Sequence, residues 1–310
     1  MKDWNEIVEK GLPPIGQPLI VTIKDNLQGM CHLRWRGEPL PSQEAVAGII
    51  NTCRALIFPG FFGESGVNRY NVSYRTGVLV ERLYQQLTEQ VAAGLCFVQE
   101  KSKMLDMPKI DAEAEQIAAE FISRLPELRR ILGTDVLATY KGDPAAMSQE
   151  EVIYCYPAIR AIVNYRAAHE LACMNVPVIP RMISEQAHRE TGIDIHPAAT
   201  IGESFTIDHG TGVVIGATAI LGRNVKLYQG VTLGAKSFDT DSEGNPVKGI
   251  PRHPIIGNDV IIYSNASILG RISIGDGAVI GGNIWVTENV APGEKLIQAK
   301  ANNILRLKQQ

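Results

Sequence analysis

The chain has 310 residues, of which 45% are hydrophobic and 20% charged, and its formal net charge at pH 7 is -3. That balance excludes a nucleic-acid or anionic-membrane binder working through bulk charge, and no apolar run is long enough to cross a bilayer. The length suits one large or two ordinary domains. The N-terminal stretch MKDWNEIVEKGLPP lacks the apolar core of a secretory signal. The five cysteines, Cys31, Cys53, Cys96, Cys155 and Cys173, are odd in number, scattered and without a CxxC pair. Reduced, mostly structural thiols in a cytoplasmic protein are the expectation.

Residues 1–192 read as helical, the first 41 being rich in Pro and Gly and irregular. Ser42 is placed to cap a helix that runs to about Phe58, where Pro59 and Gly60 stop it. A second helix covers Val72 to Val98. A third starts at Asp111, and Pro126 fits the first turn of the next. Ser148 and Glu151 make an S-x-x-E capping box. Pro157 opens another helix, and a last one ends before Gly192.

After Gly192 the period changes. Aliphatic residues recur every six positions at Ile195, Ile201 and Ile207, then Ile215, Leu221, Leu227 and Leu233, then Ile256, Ile262, Ile268, Ile274, Ile280 and Val286. Two interruptions shift the count: two extra residues within DHGTGVV, and a loop between Leu233 and Ile256. A period of six fits neither an α-helix nor a hairpin meander. It is the mark of a parallel β-helix, whose coils bury their aliphatic side chains only by stacking. A sandwich of short strands is the alternative, but period-two alternation is not the dominant signal. The expected division is 1–192 helical, 193–292 β-helix and 293–310 a C-terminal tail.

Departures from a monotonous repeat carry the chemistry. His209 follows Asp208 beside Gly210 and Gly212, where the backbone can kink outward. An imidazole with a pKa near about 6.5 suits a general base, which needs an orienting carboxylate. Asp194 lies just under one coil earlier. On spacing alone, a base and a plain polar turn are equally good readings of Asp208-His209. Arg252 and His253, at the end of the polar loop, offer a fork and a second donor to a carboxylate, although a solvated loop end is the simpler reading. His196 reads as a junction residue. His32, His169 and His188 read as structural or surface residues.

Taken in order, DPAA, GIDIHPAATIG, IDHGTGVVIG, VTLGA and PRHP resemble the serine acetyltransferases of bacterial and plant cysteine synthesis. The resemblance covers about residues 140–292. It implies an α+β protein, with an N-terminal all-helical domain followed by a left-handed parallel β-helix of hexapeptide repeats. It also implies trimers with active sites between prisms, and often a hexamer. By position, His209 resembles the base and Asp194 its orienting carboxylate. Asp143 and Asp208 resemble the residues that hold the substrate's ammonium side, and Arg252 and His253 those that receive its carboxylate. Gly234, Ala235, Ser264 and Gly282 fall where backbone groups meet CoA. The implied reaction is direct acetyl transfer from acetyl-CoA to L-serine, with no metal and with L-cysteine as a feedback inhibitor.

This chain departs from that pattern in three places. Ala217 stands where many members carry Glu. The loop 235–251 is long. LRLKQQ lacks the terminal Ile that inserts into O-acetylserine sulfhydrylase, so no tight complex is expected by that route. The rival functions are acetylation of homoserine or a sugar, a zinc hydratase of the γ carbonic anhydrase type joining His196, His209 and His253, and a non-catalytic scaffold.

Overall fold

The structure is a computed structural model that describes residues 38–99, 104–237 and 240–299. Cys31, His32 and the LRLKQQ end lie outside the described residues. Six described helices precede the strands: α1 (Gln43–Ile57), α2 (Val72–Val98), α3 (Met107–Gly142), α4 (Gln149–Cys155), α5 (Pro157–Cys173) and α6 (Ile179–Thr191). Among the described residues, no helix is long and apolar enough to cross a membrane.

Local chemistry sets the helix ends. Ser42 Oγ accepts from the Ala45 N–H at 3.3 Å. Ser148 Oγ accepts from the Glu151 N–H at 3.1 Å, while Glu151 reaches past the cap to the Met147 N–H at 2.7 Å. Gly192 closes α6 in the left-handed region. The expected break at Pro126 does not occur. One helix starts at an Asp106 cap, not at Asp111, and runs straight through Pro126. Its buried face, Ile110, Ala114, Ala118, Phe121, Leu125, Leu128, Leu132 and Val136, keeps a three-or-four spacing across the proline. Continuous packing along that stripe outweighs the one lost backbone hydrogen bond.

The remainder is a parallel β-solenoid with three faces, its strands numbered in chain order. Sheet one stacks β1 (Asp194–Ile195), β4 (Val214–Ile215), β7 (Thr232–Gly234), β10 (Ser267–Leu269) and β13 (Trp285–Val286). Sheet two stacks β2 (Thr200–Ile201), β5 (Ile220–Leu221), β8 (Ile255–Ile256) and β11 (Ser273–Ile274). Sheet three stacks β3 (Thr206–Asp208), β6 (Lys226–Tyr228), β9 (Ile261–Ile262), β12 (Val279–Ile280) and β14 (Lys295–Leu296). All thirteen aliphatic residues of the six-residue register are buried. They stack in line, as in Ile195↔Ile215↔Leu233↔Ile268↔Val286. β14 extends the prism beyond the expected limit at 292 by pairing Leu296 with Ile280. The register hides it because Val290, bridged to Ile274, follows Val286 by four residues instead of six.

A buried ion pair joins helices to prism. Arg166 on α5 donates to Asp135 on α3 through Nε at 2.6 Å and Nη2 at 2.9 Å. The two side chains are 6% and 0% exposed. Arg166 also donates to the Ile201 and Gly202 carbonyls, and Asp135 accepts from the Phe205 N–H. Burial, the largest effect, pushes the Asp135 carboxyl up, and Arg166 and the Phe205 N–H oppose that only in part. Removing one partner of such a pair leaves a buried charge. Arg166→Met is expected to cost about 3–5 kcal/mol in chemical denaturation. A loss below about 1 kcal/mol would mean that the pair does not hold the joint together.

Candidate active site

The prism edge between sheets three and one carries the first cluster. Asp208 pairs with Tyr228, and the Gly230 N–H bonds the Thr211 carbonyl at 3.0 Å. In the next coils, Asn265 bonds Gln229 and Asn283 bonds Ser264, each at 2.9 Å. This register identifies the two inserted residues as His209 and Gly210. They form a tight turn closed by the Gly210 N–H on the Asp208 carbonyl at 2.7 Å. His209 takes a φ of 59°. For a residue with a Cβ, that conformation costs about 1–2 kcal/mol. Its side chain is 77% exposed, with Nε2 3.8 Å from Asp208 Oδ1. Gly210 has a φ of 94°, and a Cβ there would lie 2.5 Å from Ile193 Cδ1, so any other residue would be strained and would have to displace Ile193.

The end of α3 meets this edge. Asp143 caps α3 and begins the DPAA turn, its Oδ1 accepting from the Ala145 N–H at 2.8 Å. Tyr156 donates its hydroxyl proton to Asp143 Oδ2 at 2.6 Å. Lys226 donates to the Gly142 carbonyl at 2.7 Å, 3.5 Å from Asp208 Oδ2 and 4.7 Å from the centre of the Tyr228 ring. Tyr228 stacks on Tyr263 at 5.0 Å. The Tyr156 hydrogen bond, then the Ala145 N–H, hold the Asp143 carboxyl below its usual range. The same bond pushes the Tyr156 phenol up to about 12. Burial pulls the Lys226 ammonium down, but Tyr228 and Asp208 outweigh it and the net direction is up. A small cavity lies between Asp143, Tyr156, Asp208 and Lys226. A much larger cleft, about 530 Å³, lies by α1 and α2 around Pro59, Phe62 and Arg75, away from these residues.

The edge between sheets one and two carries the second cluster. His253 is 7% exposed and lies directly over Gly216, where a Cβ would meet its Cδ2 at 2.0 Å. Thr218 binds it from below: the Thr218 N–H and hydroxyl reach His253 Nδ1 at 3.1 and 2.8 Å. Arg271 Nη1 donates to the Thr218 carbonyl at 2.6 Å and to the His253 carbonyl at 2.9 Å. Burial first, then Arg252, His196 and Arg271, depress His253 to about 4. Burial, followed by Arg181, also lowers His196. Beside Arg252, the polar loop and Arg271 enclose a cleft of about 180 Å³.

Asp143, Asp208 and His209 thus share one edge. Ser264 and Gly282 lie on that edge two and three coils further on, about 10 and 14 Å along it. Arg252 and His253 occupy the second edge, where Gly234 and Ala235 leave β7 for the loop. Asp194 makes no hydrogen bond with His209, because the inserted turn throws the imidazole out of the prism. Its charge acts on His196 instead, and Asp208 is the carboxylate beside His209. His169 is a packing residue, bonded to the Pro197 carbonyl and against Tyr165. Among the described residues, no three His, Cys, Asp or Glu side chains converge as metal ligands. The sequence pattern does not single out Tyr156, Lys226, Thr218 or Arg271. Tyr156 is hidden behind the helix-opening Pro157, and the other three sit at ordinary outward positions of the repeat.

No protein-family model matches the chain. Over 264 residues, 84% of the chain and 83% of the relative, it is 44% identical to "Serine acetyltransferase, plasmid" of Synechococcus elongatus. The chain belongs to the serine acetyltransferase family. It is therefore an acyltransferase, a serine acetyltransferase by family. Entamoeba histolytica serine acetyltransferase 1, solved in complex with L-cysteine, is similar in structure with a TM-score of 0.70 and 33% identity, over 83% of this chain and 86% of that one. The Neisseria gonorrhoeae serine acetyltransferase, solved with serine, gives a TM-score of 0.53 and 26% identity, over 82% and 97%.

The Tyr156 contact in this acetyltransferase is testable without turnover. Its hydrogen bond favours the ionised form of Asp143, so the folded carboxyl titrates below an ordinary aspartate. Tyr156→Phe removes the largest cause of that depression, and the Asp143 midpoint should rise. Carboxyl-carbon NMR titration reads the shift directly. An unchanged midpoint would show that the phenol does not control Asp143.

Proposed function

We propose that His209 is the general base of a direct acetyl transfer from acetyl-CoA to the serine hydroxyl, in a site completed between neighbouring prisms. The observation that carries this is the identity of the insertion. The two residues added to the repeat are His209 and the one glycine that lets it stand out, and they lie on the edge that also bears Ser264 and Gly282.

In this reading, His209 takes the hydroxyl proton as the serine oxygen attacks the thioester carbonyl. The tetrahedral intermediate collapses, the C–S bond breaks, and the imidazolium returns the proton to the departing CoA thiolate. Asp208, 3.8 Å away, stabilises the imidazolium. The family pattern gives an orienting role to Asp194 as well. Asp143 and Asp208 hold the substrate ammonium, Arg252 and His253 its carboxylate, and the backbone at Gly234, Ala235, Ser264 and Gly282 meets CoA.

Distance supports a shared assembly. The face between the two clusters is about 13 Å across, at roughly 3.3 Å per residue from Gly212 to Gly216. One amino acid cannot span it. Side-by-side prisms in a trimer bring the first edge of one copy to the second edge of the next. L-cysteine carries the same ammonium and carboxylate as serine, and the Entamoeba relative binds it. Cysteine inhibition at the serine site is the corresponding regulatory reading.

A thiol-release assay should rank serine above homoserine, threonine and sugars. His209→Ala should lower kcat by about two to four orders of magnitude, and retained activity would remove His209 from the role. Sharing of the site is tested by mixing His209→Ala with His253→Ala protein. If each site draws on two copies, random reassembly restores about a quarter of wild-type activity. No recovery from confirmed mixed oligomers would place each site within one chain.

A further inference from the structure

We propose that Thr218 is a positioning residue that locks His253 as a neutral imidazole with its proton on Nε2, so that His253 serves the substrate as a fixed hydrogen-bond donor and never as a base. The donor's target rests on the reading of the second edge as the carboxylate half of the site. The lock itself does not.

Protons and lone pairs at Thr218 fix the tautomer. Thr218 Oγ1 accepts the Arg252 N–H at 2.9 Å and the His253 N–H at 3.1 Å. A hydroxyl oxygen has two lone pairs, and both are used. Its remaining contact, with His253 Nδ1 at 2.8 Å, is therefore a donation from the hydroxyl. The Thr218 N–H points at the same nitrogen from 3.1 Å. With two donors aimed at it, Nδ1 cannot carry a proton. The imidazole proton is on Nε2. Turning the ring over would set a carbon against both donors and is excluded on the same ground.

The surroundings enforce the neutral state. The charged groups acting on His253 are Arg252 on the loop, Arg271 after β10 and the ring of His196, with no carboxylate among them. Together with burial they hold it to about 4, so it stays uncharged at neutral pH. Arg271 braces the carbonyls of both Thr218 and His253, and Gly216 leaves the space in which the ring lies. The pair Arg252-His253 thus divides its work. Arg252 carries the charge, and His253 contributes one aimed N–H without adding a second positive charge.

The test is histidine-selective nitrogen NMR on the full-length wild-type protein, with His253 assigned by His253→Gln. The expected result is one His253 signal pair, unprotonated at Nδ1 and protonated at Nε2, unchanged between about pH 5 and 8. A His253 that titrates in that window, or that carries its proton on Nδ1, overturns the lock. Thr218→Val and Thr218→Ser then separate positioning from packing. Valine keeps the shape but not the hydroxyl, and should raise the serine KM about tenfold, the size of one lost hydrogen bond, with kcat changed less. Serine restores the hydroxyl and should return KM to within about threefold of wild type. Equal damage in both variants would mean that the threonine methyl, not its hydroxyl, matters, and would overturn the positioning role. Failure to acetylate serine at all would sink the proposed function and leave the NMR result to decide the lock.

Discussion

A carboxylate and a guanidinium, shut away from water, hold two unlike architectures in register. Asp135 and Arg166 each come from a helix, yet the rest of their hydrogen bonds go to the first coil of the prism, at Ile201, Gly202 and Phe205. Such a pair survives burial only because its polar atoms find partners. Its position sets the geometry of the first edge. Asp143 lies two turns beyond Asp135 on the same unbroken helix, so fixing one fixes the other against Asp208. Lys226 makes the second tie by donating to the Gly142 carbonyl at the negative end of α3. Pro126 lies before both Asp135 and Asp143, so the segment that carries them is uninterrupted. The proline is tolerated because the apolar stripe does not stop there.

The prism imposes the opposite economy. Each coil buries its aliphatic residues against the coils above and below, so the corners are held to one geometry and few residues can leave it. Chemistry is confined to the places where the repeat is interrupted. At the first edge two extra residues eject an imidazole. At the second, a long loop returns at Arg252-His253 and drops a ring onto Gly216. The strain of a left-handed histidine persists because the ladder on either side, through Gly212 and Gly230, leaves the turn no alternative.

Most of the fold is legible in the sequence because it is periodic. Ile195 to Val286 can be placed from spacing alone, and Ser42, Ser148 and Gly192 from cap chemistry. What escapes is aperiodic or local to one contact. β14 is missed because the step from Val286 to Val290 shortens. Pro126 misleads because a local rule is overridden by the packing stripe. The site divides in the same way. Insertions flag His209 and the loop end of His253. The residues that support them, Tyr156, Lys226, Thr218 and Arg271, occupy positions where any polar side chain fits the pattern. Only the three-dimensional hydrogen-bond partners separate them from surface residues. Asp194 is placed by its separation of nearly one coil, which brings it to the same prism edge as His209.

The two edges differ in charge in a way that argues for the zwitterion reading. The first edge holds two carboxylates, Asp143 and Asp208, against one ammonium, Lys226, which leaves one negative charge unbalanced. The second holds Arg252 and Arg271 beside His253, and these two cations, after burial, keep the ring neutral. Lys226 already engages Asp208 and the end of α3, so Asp143, held ionised by Tyr156, is the carboxylate with charge to spare. A neutral hydroxyl substrate such as a sugar would leave the negative charge of the first edge standing. In the proposed site, an amino acid between two edges would set its ammonium toward Asp143 and its carboxylate toward Arg252. There, that orientation would turn the side-chain hydroxyl, the atom the reaction must activate, toward His209.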